Sequence, residues 1–251
     1  MTDTVVVAAM YKFAPLEELE ALRGEIERLC LEQGVLGTLL MAPEGLNATL
    51  AGSRAGIDAV VGFLRAQPGL ETLSPRESYA ERAPFLRLKV RIKPEIVTFG
   101  VEGIDPLSEV GVYVDPAKWN ELIERPEVLV IDTRNAYEVE LGRFEGALDP
   151  QTENFRAFAD YVDAHLDPSE HPEVAMYCTG GIRCEKATAF MLSRGFSQVY
   201  HLQGGILHYL ERIEPAQSLW QGRCFVFDER RTVGEELHAG RADRADKPLG
   251  E

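Results

Sequence analysis

The chain has 251 residues, of which 45% are hydrophobic and 27% charged, and its formal net charge is −15. This length favours two compact domains, and the composition excludes disorder, collagen and coiled coil as descriptions of the whole chain. No apolar run approaches the roughly 20 residues that cross a bilayer, so we expect no membrane span and no membrane partner. Because Asp3 stands where a signal peptide carries basic residues, we expect a cytoplasmic protein.

The distributions of cysteine and of charge exclude further classes of protein. Four cysteines without a CxxC pair indicate neither a secreted disulfide scaffold nor a zinc ribbon. The acidic excess lies beyond residue 100, whereas the first hundred residues are nearly balanced in charge. Phosphate binding needs clustered Lys and Arg, so we expect any polyanion to contact the first part of the chain.

Residues 1–100 are predicted to form a strand, a helix, two strands, a helix and a strand. The pattern places strands at 5–12, 35–41, 46–51 and 85–93, one helix between Pro15 and Gly34, and another capped by Ser53. This order is the ferredoxin-like, or acylphosphatase-like, split βαβ arrangement. The first domain is therefore predicted to be an α+β domain.

The last of these strands is the most basic part of the chain. Apolar residues alternate there with the four cations Arg87, Lys89, Arg91 and Lys93, which therefore share one face. Such a face could be a solvated edge that prevents strand pairing between molecules, or a surface that binds phosphates. Both interpretations remain open at this point.

A second domain of a different class follows. Residues 101–118 are rich in Pro and Gly and are predicted to be a connector, whereas residues 119–215 alternate strands and helices. This alternation predicts an α/β domain with a central parallel sheet, whose sites lie at the carboxyl ends of the strands. Residues 216–251 form a C-terminal extension, with an apolar piece at 224–227 and then a polar tail that is expected to be flexible at its end and contains Arg230, Arg231, Arg241 and Arg244.

A single cysteine has the surroundings of a reactive thiol. Cys178 ends a predicted strand, and a helix is predicted to begin at about Cys184. The intervening loop is predicted to surround the sulfur with backbone N–H groups at the positive end of that helix, with a guanidinium alongside; its residues are Thr179, Gly180, Gly181, Ile182 and Arg183. Both effects favour the thiolate of Cys178. Cys184 is either a second functional thiol or a small residue at a helix start.

Spacing separates two enzyme classes that use such a loop. Cysteine phosphatases have C-x5-R, but here the residue six positions after Cys178 is Cys184, and Arg183 comes one residue early. The six-residue loop instead resembles that of rhodanese-type sulfurtransferases, as do Asp132-Thr-Arg134 and the Gln-Gly-Gly-Ile segment at 203–206. This resemblance covers residues 119–213. Asp132 and Arg134 are expected to form a structural ion pair near the site rather than to act in catalysis.

The chain as a whole resembles the bacterial rhodanese-domain tRNA uridine hydroxylases. The resemblance rests on Pro-Glu-Gly-Leu-Asn at 43–47, the basic strand, Cys-Thr-Gly-Gly-Ile-Arg-Cys-Glu-Lys at 178–186 and the segment 222–230. It implies formation of 5-hydroxyuridine at the wobble position of tRNA, with Cys178 catalytic and the anticodon region of tRNA as partner. Longer members continue with a cysteine-rich tail, whose functions are expected to be absent here.

The resemblance also implies molecular oxygen and an electron donor that the sequence does not identify. No GxGxxG segment and no two-His-one-carboxylate spacing occurs, so no metal site or bound cofactor is predicted. His201 and His208 are expected at the surface. The alternative function is a sulfurtransferase or persulfide carrier, and a third is a binding module with an inactive loop. The oligomeric state stays undetermined.

Overall fold

Two main β-sheets organise residues 4–234, which the computed structural model describes. The strands of the first sheet are β1 (Val5–Phe13), β2 (Leu36–Ala42), β3 (Gly45–Gly52), β4 (Arg76–Ala80) and β5 (Leu88–Ile92). The helices of this domain are α1 (Leu19–Glu32) and α2 (Arg54–Arg65), and Ser53 caps α2 by accepting a hydrogen bond from the Gly56 N–H at 3.1 Å. None of the helices within residues 4–234 is long and apolar enough to cross a membrane.

The first sheet has the order β4-β1-β3-β2-β5, which confirms the ferredoxin-like class. The prediction of its closing strand was wrong. The strand that completes the ferredoxin-like order beside β1 is β4, whereas the basic strand β5 pairs in parallel with β2 at the opposite edge. Strict alternation marks β5 because one of its faces packs on the core, but alternation cannot tell which strand lies next to it.

The two faces of the first sheet differ. Helices α1 and α2 cover one face, where the buried apolar side chains of all the strands except β4 form a single core with those of the helices. Neither α1 nor α2 covers the other face, where the central strands carry small and polar side chains beside the apolar Val7 and Leu40; the small and polar ones include Ala9, Tyr11, Thr38, Asn47 and Thr49. This second face is called the open face below.

The second domain alternates strands and helices, as the sequence predicts. Its main elements are β6 (Val112–Val114), α3 (Pro116–Ile123), β7 (Val128–Asp132), α4 (Ala136–Val139), β8 (Gly142–Phe144), α5 (Ala157–His165), β9 (Glu173–Tyr177), α6 (Ile182–Ser193), β10 (Gln198–Leu202) and α7 (Gly205–Arg212). The prediction that residues 101–118 form a connector was wrong for its last part. Strand β6 and the first residues of α3 fall in this range and already belong to the second domain. The sequence gives no clear strand pattern for β6, because this edge strand has three residues, is mostly exposed and shows no alternation of apolar and polar side chains.

The second sheet is parallel, in the order β6-β10-β9-β7. Helices α3 and α7 cover one face around Trp119 and Tyr209, and helices α5 and α6 cover the other around Phe158 and Phe190. This two-sided cover is typical of parallel sheets. The carboxyl ends of β7, β9 and β10 therefore meet at one edge of the sheet, where the following loops converge.

The structure describes the C-terminal extension as far as residue 234. After a 3-10 turn at Pro215–Gln217, β11 (Trp220–Gly222) pairs with β8, and β12 (Cys224–Phe225) forms a hairpin with β13 (Thr232–Val233). Residues 224–233 are called the C-terminal strap. Arg230 and Arg231 of the predicted polar tail lie in the connection between β12 and β13, whereas Arg241 and Arg244 at its predicted flexible end lie outside the described residues. His201 and His208 are both buried, which corrects their predicted surface position.

One buried cation ties the two domains together. The Lys186 Nζ atom lies 2.8 Å from a Glu44 carboxylate oxygen, in the turn between β2 and β3, and 2.7 Å from Glu95. Only 3% of the Lys186 side chain is exposed. The same carboxylates accept backbone N–H groups, Glu44 from Ile96 at 2.7 Å and Glu95 from Phe99 at 3.0 Å. The first domain, the segment after it and α6 therefore share a single charge cluster.

We expect Lys186→Met to lower the free energy of unfolding by about 2–4 kcal/mol, because it leaves two largely buried carboxylates, Glu44 and Glu95, without their cation. Urea denaturation followed by tryptophan fluorescence measures this change. The matched control is Lys118→Met on the exposed side of α3, which should change stability by less than about 0.5 kcal/mol. Equal small effects of the two substitutions would contradict a stabilising role for the cluster.

Candidate active site

The loop that follows β9 holds Cys178 against the start of α6. The helix begins at Ile182, two residues earlier than predicted, with Gly181 as its N-cap. Gly181 has φ +97°, and a Cβ there would lie 2.9 Å from the Tyr11 hydroxyl of β1. A glycine is required at this position because the backbone is left-handed and a first-domain side chain rests directly on it.

Backbone and side-chain donors converge on the Cys178 sulfur. Its Sγ accepts a hydrogen bond from the Gly181 N–H at 3.1 Å. Burial alone would raise the pKa of Cys178, but the hydrogen bond from the Cys184 thiol, the charge of Arg183 and the N–H groups of Cys184 and Arg183 together lower it to about 6. Cys178 is therefore a thiolate at neutral pH.

The carbonyl side of the same loop is held by the start of α7. The Ile206 N–H donates to the Cys178 carbonyl at 2.9 Å, and the Leu207 N–H donates to the Thr179 carbonyl at 3.1 Å. Gly205 permits this contact, since its φ is +65° and a Cβ would lie 2.4 Å from the Cys178 oxygen. With its carbonyls bound outward, the loop presents its N–H groups to the sulfur.

Arg183 is turned toward Glu138, the last residue but one of α4. Two guanidinium nitrogens bind the two Glu138 oxygens at 2.6 and 2.8 Å, and the Thr179 hydroxyl donates to the same carboxylate at 3.2 Å. Both charged groups are buried. Sequence reasoning placed Arg183 beside the sulfur but gave no role to Glu138, which fixes the guanidinium and the loop together.

Cys184 stays protonated beside the Cys178 thiolate. Its sulfur lies 3.6 Å from the Thr133 hydroxyl. Burial, the hydrogen bond to Cys178 and the negative charge of Cys178 raise the pKa of Cys184 well above its usual range. The loop therefore contains one thiolate and one thiol that donates to it.

Asp132 and Arg134 form a buried ion pair at the end of β7. The Arg134 guanidinium binds Asp132 at 2.6 and 2.9 Å, donates to the Gly142 carbonyl at 2.6 Å and stacks over Trp220 at 5.1 Å. Neither side chain lines the cavity between the Cys178 loop and the first sheet. Their contacts are those of a structural pair that joins β7 to β8 and to the C-terminal extension.

A cavity of about 730 Å³ separates the Cys178 loop from the open face of the first sheet. Its walls come from both domains and from the C-terminal strap, which contributes Phe227 and Arg230. Arg230 is held by Asp228 at 2.6 Å and donates to the Ser78 hydroxyl on β4 at 2.7 Å. The strap thus closes the cavity along the β4 edge of the first sheet.

Three residues that line the cavity, Tyr11, Tyr113 and Glu185, were not predicted from the sequence as site residues. The Glu185 carboxylate accepts hydrogen bonds from the hydroxyls of Tyr11 at 2.7 Å and Tyr113 at 2.6 Å. Burial raises the pKa of Glu185, and the Cys178 charge adds to the shift. The alternation of β1 carries a signal for Tyr11, which shares a face with Ala9, but only the tertiary structure shows that this face meets Glu185.

The basic strand reaches the open face from its far edge. By register, Lys89 lies beside Thr38 and Arg91 beside Leu40, and both of these neighbours line the cavity. Arg87 and Lys93 lie immediately before and after β5. Across residues 4–234, none of the four cations lies within 4 Å of a carboxylate oxygen. Their charges are therefore available to an external polyanion.

Residues 5–96 match the family described as the UPF0176 acylphosphatase like domain, and residues 115–212 match the rhodanese-like domain. The chain therefore carries an acylphosphatase-like domain followed by a rhodanese-like domain with a parallel sheet. Within the described residues, no group of three or more His, Cys, Asp and Glu side chains is arranged to hold a metal.

Several solved structures are similar to parts of this chain at low sequence identity. A protein of unknown function from Rhodopseudomonas palustris, described as a possible tyrosine phosphatase, is 22% identical, with a TM-score of 0.35 over 41% of this chain and 82% of that one. The rhodanese-like domain of an Anabaena protein is 20% identical, with a TM-score of 0.36 over 55% of this chain and 97% of that one. The BLUF protein BlrB is 21% identical, with a TM-score of 0.32 over 37% and 74%.

We expect iodoacetamide to alkylate Cys178 with a rate that rises through pH 6 and levels off above pH 7, because its pKa is lowered to about 6. Mass spectrometry of the labelled peptide follows the reaction. Arg183→Met should move the midpoint to higher pH, whereas Arg194→Met at the exposed end of α6 should not. A wild-type midpoint near that of a free thiol, about 8.5, would contradict the thiolate.

Proposed function

We propose that this chain is a cytoplasmic tRNA-modifying monooxygenase that forms 5-hydroxyuridine at the wobble position, with Cys178 as its catalytic residue. The observation that carries the proposal is a stabilised thiolate facing a cavity that two domains enclose, with unpaired cations along one edge. A cavity of about 730 Å³ is within the range of roughly 300–1,000 Å³ that accepts a small molecule or a single nucleotide.

The shape of the site supports a substrate that is one base of a larger polyanion. An anticodon nucleotide that leaves its stack can enter the cavity, while the rest of the RNA stays outside. The open face offers hydroxyl and amide groups for a base and ribose, among them Thr38, Asn47 and Thr49. Arg87, Lys89, Arg91 and Lys93 would bind the neighbouring phosphates.

The thiolate supplies a route to the chemistry. Attack of Cys178 on C6 of uracil moves the ring π electrons to C5, which becomes a nucleophile toward oxygen. One atom of molecular oxygen is inserted at C5 and the other becomes water, which requires two electrons and two protons from an external reductant. Loss of the C5 proton then restores the double bond and releases Cys178. The loop N–H groups and Arg183 stabilise the departing thiolate.

A second function is supported by the thiol pair itself. In a sulfurtransferase, thiosulfate would transfer its outer sulfur to Cys178 and leave as sulfite, and the neighbouring Cys184 would help to discharge the persulfide. The rhodanese-like domain is compatible with this activity. The open face and the basic edge of the first domain have no role in it, so we place it second.

Nucleoside mass spectrometry of tRNA from cells that lack this protein tests the proposal. Wild-type protein should restore 5-hydroxyuridine derivatives, and Cys178→Ala should reduce them to background. The matched control is Cys30→Ala, which changes a cysteine in the helix-covered core of the first domain. Restoration by Cys178→Ala would overturn the mechanism. Failure of the folded wild type, together with thiosulfate-dependent persulfide on Cys178, would instead favour the sulfurtransferase.

We expect the triple variant Arg87→Gln, Lys89→Gln, Arg91→Gln to lower the slope of log K against log salt for tRNA binding by about 2, because each lost phosphate contact removes about 0.7–0.9. Filter binding over a salt series measures the slope. A control with the same charge change is Lys118→Gln, Arg143→Gln, Arg194→Gln on the second domain. An unchanged slope for the first variant would remove the basic strand from the interface.

A further inference from the structure

The Tyr11–Glu185–Tyr113 cluster has no role in the addition of Cys178 to uracil or in the insertion of oxygen. Glu185 lies in the first turn of α6, directly after Cys184, and is only 5% exposed. Its two carboxylate oxygens each accept one tyrosine hydroxyl, from Tyr11 on β1 and from Tyr113 on β6. A buried carboxylate held by hydroxyls rather than by a cation keeps its negative charge and can accept a proton.

The cluster and the thiolate face the same space. Tyr11, Tyr113, Glu185 and Cys178 all line the cavity. The Tyr11 hydroxyl lies 2.9 Å from the position of a Cβ on Gly181, whose N–H is bound to the Cys178 sulfur at 3.1 Å. A planar ring attached to that sulfur would therefore have the Tyr11 hydroxyl as a neighbour.

The proposed reaction leaves one proton without an acceptor. Once Cys178 is bonded to C6, its sulfur cannot remove the hydrogen from C5, yet the product forms only when that hydrogen leaves as a proton. Efficient proton transfer needs a positioned base within hydrogen-bond reach of the reacting atom. Apart from Cys178, the ionisable groups that line the cavity around Glu185 are Arg183, which is bound to Glu138, Lys12, whose charge acts on Glu185, and the two tyrosines of the cluster. Arg183 and Lys12 are cations, so the base among these groups is in the tyrosine–Glu185 cluster.

We propose, on the basis of the proposed function, that Tyr11 is a catalytic residue that takes the C5 proton, with Glu185 as the proton acceptor behind it. As the C5 proton passes to the Tyr11 oxygen, the Tyr11 hydroxyl proton passes to Glu185. The electrons of the C5–H bond form the C5–C6 double bond, and the C6–sulfur bond breaks to return the Cys178 thiolate. Glu185 then releases its proton to water.

Tyr113 has a different part in this scheme. Its hydroxyl holds the second Glu185 oxygen, and its ring packs on His201 with a centroid distance of 4.2 Å, inside the second domain. Tyr11 is the hydroxyl beside the reactive loop. Tyr113 is therefore a positioning residue, and its loss should matter less than the loss of Tyr11.

Hydrogen exchange at C5 tests the step without oxygen or reductant. An anticodon stem-loop RNA carrying 5-deuterated uridine at the wobble position is incubated with the full-length protein under nitrogen, and nucleoside mass spectrometry follows loss of deuterium. Reversible addition of Cys178 lets the wild type exchange C5 deuterium for solvent hydrogen. Tyr11→Phe and Glu185→Gln should each slow this exchange by about 10²-fold, and Tyr113→Phe by less than about tenfold.

Controls separate the chemistry from folding and from binding. Tyr79→Phe, on the exposed β4 strand of the first sheet, should exchange at the wild-type rate. Alkylation of Cys178 at pH 8, where its thiolate is fully formed, should be unchanged in every variant and shows that the loop is intact. Glu185→Asp, which keeps a carboxylate, should recover part of the exchange that Glu185→Gln loses.

The outcomes also separate this inference from the proposed function. The inference is overturned if Tyr11→Phe and Glu185→Gln exchange C5 deuterium at the wild-type rate. It is also overturned if the wild type shows no exchange. Exchange that depends on Tyr11 and Glu185, together with the absence of 5-hydroxyuridine from tRNA of cells that express the folded wild type, supports the inference and overturns the hydroxylase proposal. Normal 5-hydroxyuridine formation by both variants overturns the inference alone.

Discussion

A buried negative sulfur is stable only if the surrounding chain supplies the stabilisation that water would give, and the second domain is arranged around this constraint. The Gly181 N–H reaches the sulfur because the carbonyls of the same loop are bound by the start of α7. The loop keeps its place because Glu138 holds both Arg183 and Thr179. Each support comes from a different element, so the thiolate depends on the complete domain rather than on its own loop.

The first turn of α6 carries the connection between the domains. Cys184 donates to the reactive sulfur, Glu185 binds a tyrosine of the first sheet, and Lys186 binds the acidic turn between β2 and β3. Three successive side chains of one helix therefore point to the loop, to the open face and to the domain interface. A small rotation of this helix would disturb all three contacts together.

The sequence allowed the two fold classes and the reactive-loop geometry to be predicted because these depend on local signals. Paired glycines after a β-strand, followed by a helix, specify the turn at Cys178 whatever surrounds it. The partners of the site are different. Tyr11 and Glu185 are 174 positions apart, and Arg183 and Glu138 are 45 apart, so only the packing of whole elements brings them together. The misplaced closing strand has the same cause, since β4 is polar and is defined by its neighbour β1.

The C-terminal strap closes one side of the cavity and so makes its two sides unlike. Arg230 fastens it to Ser78 on β4, and the Glu229 N–H donates to the Pro84 carbonyl at 3.0 Å, so this side of the first sheet is walled by the protein's own chain. The opposite edge of the sheet is β5, which carries the unpaired cations. A polymer bound along β5 would therefore meet the cavity from the edge opposite the strap. For such a polymer, the strap would be the far wall of the cavity, so a single nucleotide turned out of the strand would end its path against the protein's own chain.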